Sequence, residues 1–182
     1  MRLFVALAIP DLVAQGLMLI QSGVPGARWS PRENLHLTLR FIGEIDGRDA
    51  ADIDEMLEGI SAPRFSLALK GVGEFGGKHP HALWAGVAER DPVAHLARKI
   101  ETGLQRLGLP AEERKFTPHV TVARLHATAR GRVLDWLTDH ALYASAPFEV
   151  TEFSLYSSQL SPGGSVYAVE RTYSLRPQGF RT

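Results

Sequence analysis

Apolar residues recur at alternate positions in some runs of the chain and at every third or fourth position in others, which predicts strands interleaved with helices. The run Leu3 to Ile9 predicts a strand, Pro10 to Ile20 an amphipathic helix with Gly23 as its C-terminal cap, and Leu35 to Ile42 an alternating strand. Arg48 to Ile60 reads as a helix, Phe65 to Val72 and Ala82 to Val87 as strands joined by the Gly-rich segment Gly73 to His81. Asp91-Pro92 is a helix-start signal, with Asp as N-cap and Pro at the first helical position, and that helix runs to about Leu107. Val120 to Ala123, Phe148 to Tyr156 and Val166 to Leu175 read as strands, with a helix from about Gly131 to His140. Strands joined directly by Gly-rich turns break any strict strand-helix-strand rhythm. The expected class is therefore α+β with antiparallel or mixed sheets.

The order of elements repeats. His36 opens a His-x-Thr-x strand and Phe65 a later strand 29 positions on; His119 opens a second His-x-Thr-x strand, with Phe148 again 29 positions on. A strand and a helix precede each histidine. One domain over 1–182 with two duplicated halves, approximately 1–80 and 81–182, follows as the expectation. Two such halves predict two pseudo-symmetric lobes with a cleft between them.

Alternation along Asn34 to Phe41 puts His36, Thr38 and Arg40 on one face and Leu35, Leu37, Leu39 and Phe41 on the other. In the second strand His119 and Thr121 oppose Val120 and Val122, and Arg124 reaches their side only if a bulge intervenes. A third match, His126-Ala127-Thr128, lacks alternating apolar support and the 29-residue partner, so it is set aside. Two imidazoles facing each other across a cleft suit the opening of a cyclic phosphodiester. One takes a proton from water and the other protonates the departing oxygen, and general acid-base catalysis of this kind is worth on the order of a hundred- to ten-thousand-fold. Thr38 and Thr121 are placed to donate to phosphate oxygens. No metal or other cofactor is required by this chemistry.

Composition narrows the setting. The chain has 182 residues, 45% of them apolar, within the range of one domain. Twenty basic and twenty acidic residues cancel, so no global field draws polyphosphate and any nucleic-acid contact should be local. Cysteine is absent, which removes disulfides, thiolate metal sites and a cysteine nucleophile. No apolar run approaches a membrane span of about 20 residues, and the short opening run lacks the features of a signal peptide, so a cytoplasmic protein is expected. No obligate protein partner is evident.

Phe41, Phe116 and Trp29 lie near the motifs as candidates to stack a base, although Phe41 continues the apolar face of its strand and core packing is the stronger reading. Arg114 and Lys115 before the second motif, with Arg130 and Arg132 after it, form an edge that can guide an RNA backbone. His79 and His81 occupy a Gly-rich turn without a carboxylate at metal-binding spacing.

The chain resembles the 2H phosphoesterase superfamily, and within it the RNA 2',3'-cyclic phosphodiesterases, also called 2'-5' RNA ligases. The resemblance rests on Arg2 to Ala6, on Glu33 to Glu44 around the first motif, on Phe116 to Arg124 around the second and on Thr151 to Ser158. It implies an α+β fold of two pseudo-symmetric lobes, each an antiparallel sheet with flanking helices, around a central cleft, hydrolysis of RNA cyclic phosphate ends to 2'-phosphates and joining of RNA ends through a 2'-5' bond in reverse. By the same resemblance His36 is the proton donor, His119 the proton acceptor, and Arg124 a shared cleft residue beside Arg40. Implied substrates are RNAs ending in a 2',3'-cyclic phosphate, tRNA fragments among them, or cyclic nucleotides. Alternatives are a relative acting on a small cyclic nucleotide or ADP-ribose cyclic phosphate, and a non-catalytic RNA-end binding module.

Overall fold

The computed structural model describes residues 1–179. Its elements run β1 (Arg2–Ala8), α1 (Asp11–Leu19), β2 (Arg28–Trp29), β3 (His36–Glu44), α2 (Gly47–Glu58), β4 (Phe65–Leu67), β5 (Leu69–Phe75), β6 (Ala82–Val87), α3 (Asp91–Arg106), β7 (Val120–Arg124), α4 (Arg130–Asp139), β8 (Phe148–Val150), β9 (Glu152–Ser161) and β10 (Gly164–Ser174).

Seven strands follow one another in the order β10-β9-β1-β3-β7-β6-β5, with β2 beside β7, while β4 and β8 pair separately. All of these pairings are antiparallel. Between β3 and β7 the ladder is one residue pair, Leu37 with Val120, so the strands to either side splay into two lobes. The chain exchanges elements between them: the late hairpin β9–β10 pairs with β1, and the early β5 pairs with β6. Leu37 and Val120 lie 83 positions apart, as do Ser66 and Glu149 at the centre of the β4–β8 pair. Read outward from Leu37 and Val120, the strand order is the same in both directions, except for β2 and β10.

Helix α3 buries Val93, Leu96, Ala97, Ile100 and Leu104, a stripe of helical spacing, and α1 buries Val13, Ala14 and Leu17. These stripes join Leu3, Val5, Leu7, Leu37, Val120 and Val122 in one core cluster. Helices on that face leave the opposite face of the sheet to form the cleft.

Several boundaries differ from the sequence expectation. The runs expected as Phe65 to Val72 and Phe148 to Tyr156 each break, at Ala68 and Thr151, where the chain leaves the small sheet for the large one. Asp91 lies inside the first turn of α3 rather than capping it, with Arg90 at the cap position; Asp46 instead caps α2, accepting from the backbone N–H groups of Arg48 and Asp49 at 3.0 and 2.9 Å. Helix α1 ends at Leu19 with Ile20, not Gly23, at its C-terminal cap, and Gly23 lies in the following segment with φ 84°. β2 has only two residues, too few for a periodic signal. Among the described residues no helix is long and apolar enough to cross a membrane.

Candidate active site

Two bulges, each three residues after a histidine, decide what faces the cleft. Across β1 and β3, Ala8 pairs with His36 and Ala6 with Thr38, but Val5 pairs with Arg40, so Leu39 is an extra residue. Beyond it Phe41 pairs with Phe4, whose ring lies 5.5 Å from that of Phe41 and 5.0 Å from that of His36. Across β6 and β7, Leu83 pairs with Ala123 and Trp84 with Thr121, making Val122 the extra residue; Arg124, opposite Ala82, thereby returns to the side of Thr121. Phe41 and Arg124 therefore hold equivalent places in the two halves.

This corrects strict alternation at three positions. Arg40 leaves the cleft face and binds Glu101 on α3, the carbonyl of Phe41, and the carbonyl of Pro110 at 2.7 Å. Phe41, read as a core residue, is 42% exposed on the side of His36. Arg124 lies close enough that its charge acts on both His36 and His119.

The Leu37–Val120 register sets His36 against Thr121 and Thr38 against His119 across the junction. His119 donates through Nδ1, at 2.5 Å, to the carbonyl two residues upstream, that of Thr117. A carbonyl can only accept, so Nδ1 of His119 carries the hydrogen and Nε2 keeps its lone pair for the cleft. Aromatic rings wall each imidazole. Tyr167 meets His36 edge-on at 5.2 Å, with Tyr156 at 6.1 Å; Phe75 meets His119 edge-on at 4.9 Å, with Trp84 at 6.0 Å. Gly73 makes room for that wall, since a β-carbon there would lie 2.2 Å from the Trp84 ring.

Burial among these rings is the main cause that depresses both imidazoles. His36 falls to about 4, the backbone at Asn34 opposing the shift and the charges of His119 and Arg124 reinforcing it. His119 is lowered as well, by burial and by Arg124, against the pull of the Thr117 carbonyl. Burial therefore biases both imidazoles toward the uncharged form.

The remaining candidates divide. Phe116 and Trp29 are half-buried and pack against the core. Arg114 is tied to Glu112 at 3.1 Å, and that contact holds the Glu112 carboxyl at about 2. His126 is exposed in a bend beside Ala127, which has φ 51°. The walls formed by Phe4, Phe75, Trp84, Tyr156 and Tyr167 were not foreseen; only Phe4 and Trp84 lie on strands paired with a histidine strand, and no pairing is written in a single sequence.

The model of the 2'-5' RNA ligase superfamily matches residues 19–161. An RNA 2',3'-cyclic phosphodiesterase of Archaeoglobus fulgidus is 32% identical over 95% of this chain and 99% of its own length. One of Thermotoga maritima is 33% identical over 93% of this chain and 92% of its own. Among solved structures, a protein of Thermus thermophilus superposes with a TM-score of 0.82 at 28% identity, covering 98% of this chain and 100% of that one. E. coli LigT in its apo form gives 0.79 at 25% identity, covering 96% of each chain.

Proposed function

Because the chain belongs to the 2'-5' RNA ligase superfamily, we propose that it opens the 2',3'-cyclic phosphate at the end of an RNA, with His36 and His119 as its two proton-transfer groups. One observation carries the assignment: the Leu37–Val120 register sets each motif histidine, walled by aromatic rings, against the other motif's threonine across the junction. Relatives named for this activity span nearly the whole chain.

The cyclic phosphate, a monoanion, lies between the histidines. Nε2 of His119 takes a proton from water as the water oxygen bonds to phosphorus. The bond from phosphorus to the 3' oxygen breaks, and His36 protonates that oxygen, leaving a 2'-phosphate and a 3'-hydroxyl. Proton exchange with solvent then resets the pair. Thr38 and Thr121 donate to the non-bridging oxygens, and the Arg124 guanidinium balances charge that builds on them. The bound anion raises the pKa of His36, which charges it for its role as donor; a proton held by a group of low intrinsic pKa is readily given up. Phe41, exposed beside Phe4, offers a stacking surface for the terminal base. With the 5'-hydroxyl of a second RNA in place of water, the same transfers form a 2'-5' bond. tRNA fragments with cyclic ends are one substrate of this class.

The test is incubation with an RNA tetranucleotide ending in a 2',3'-cyclic phosphate in the presence of EDTA, with ADP-ribose cyclic phosphate run in parallel. Faster turnover of the RNA to a 2'-phosphate product is expected. A 3'-phosphate product, or activity lost to EDTA, would contradict the reading.

A further inference from the structure

Beside the histidine pair the structure brings two arginines together, with no ion-pair partner for either among the described residues. Arg28 on β2 pairs directly with Arg124 on β7, so the two side chains leave the same face of the sheet. β2 is held there by the Ser30 N–H to the Val122 carbonyl at 2.9 Å and by the Ser30 hydroxyl to the Thr121 carbonyl at 3.1 Å. None of the ion pairs found among the described residues includes either arginine. Like charges placed opposite each other on neighbouring strands destabilise a sheet. An anion bound between them removes that cost.

Position tells which anion. Arg124 acts on both histidines, and Arg28 lies one strand beyond it, opposite the end of β7 away from His119, so Arg28 stands further from the reacting phosphate. Its guanidinium extends across to the tip of the β9–β10 hairpin, where Cζ is 3.7 Å from the place a β-carbon would take on Gly164. Tyr167, three residues along that hairpin strand, presents its ring to His36. Arg28 thus spans from the second lobe to the wall of the first at one end of the cleft. A cyclic mononucleotide has one phosphate and leaves this end empty.

We propose that Arg28, with Arg124, forms a subsite for the phosphodiester that precedes the terminal cyclic phosphate, so that the cleft selects an RNA end over a cyclic mononucleotide. This rests on the reading of the cleft as an RNA cyclic phosphodiesterase, and it is tested by binding, which needs no turnover. Anisotropy of a labelled RNA tetranucleotide ending in a 2'-phosphate, with adenosine 2'-monophosphate as competitor, gives the affinity ratio of the two ligands. For Arg28→Ala the advantage of the tetranucleotide falls about tenfold. The slope of log affinity against log salt for the tetranucleotide drops by about one phosphate contact. Arg28→Lys keeps most of the advantage, because the charge remains. Without RNA, Arg28→Ala melts no lower than the parent, since it relieves repulsion. An undiminished advantage in Arg28→Ala overturns the proposal, and so does equal weakening of both ligands or a lowered melting temperature. Failure of the parent protein to hydrolyse a cyclic end would instead count against the proposed reaction and is read in a separate assay.

Discussion

Leu37 and Val120, each the residue that follows a motif histidine, form the pair that joins the two half-sheets, and both are fully buried. Their side chains enter the core, so the two imidazoles before them are set by a shared floor rather than by loops. Leu37→Ala should cost about 2–5 kcal/mol, as truncation of a buried leucine does, measured by urea unfolding. At temperatures where the variant stays folded, turnover should fall as well, because loosening this pair loosens both histidines. Turnover equal to the parent's would mean the junction does not set the site.

Stability should fall with acid before the carboxylates titrate. His36 is held near 4 in the folded chain, against about 6.5 when unfolded. Below pH 6.5 the unfolded chain takes up a proton that the folded chain does not, so stability is lost as pH falls, by about 1.5 kcal/mol between pH 6.5 and 5. His119, also lowered, adds to the loss with the same sign. The lowered carboxyls of Asp54, Glu101 and Glu112 contribute to acid loss only at lower pH. Chemical denaturation at pH 5.0 and 6.5 should show the slope in the parent and a flatter one in His36→Gln. An unchanged slope in the variant would assign the acid sensitivity elsewhere.

Arg40 and Arg124 should separate stability from catalysis. Arg40→Met leaves Glu101 half-buried without its partner and frees the carbonyls of Phe41 and Pro110, at an expected cost of about 1.5–3 kcal/mol. Arg124→Ala removes an exposed side chain and should leave the melting temperature nearly unchanged, while lowering kcat/KM on the order of a hundredfold through lost charge stabilisation. Melting curves and steady-state kinetics on both variants check this. The reverse pattern would put Arg40 in the cleft.

Gly73→Ala should displace the Trp84 ring that backs His119, because the added carbon would lie 2.2 Å from it. Tryptophan fluorescence should shift and kcat should fall, with a smaller change in KM. Fluorescence and turnover matching the parent's would show that the ring has no part in placing His119.

The motif strands were legible because alternation and a repeated spacing are properties of sequence alone. His36, Thr38, His119 and Thr121 share the cleft face that alternation predicts up to the third residue after each histidine. Past that point each strand takes in an extra residue, Leu39 or Val122, and the prediction inverts: Arg40 turns to α3, while Phe41 and Arg124 turn to the cleft. A bulge depends on the register of the partner strand, which a single sequence does not contain. The same limit hid Arg28, whose role depends on a two-residue strand pairing with β7. The exchange of β5 and β9–β10 between the lobes was also out of reach, since either partner strand would satisfy their apolar faces.

The two-histidine site is tested most directly by single-turnover cleavage of an RNA ending in 2',3'-cyclic phosphate, by the parent, His36→Ala and His119→Ala, each shown to be folded by circular dichroism. Loss of at least about a hundredfold in the cleavage rate of each variant is expected, with substrate binding retained. A rate within about tenfold of the parent's in either variant would contradict the assignment of that histidine to proton transfer.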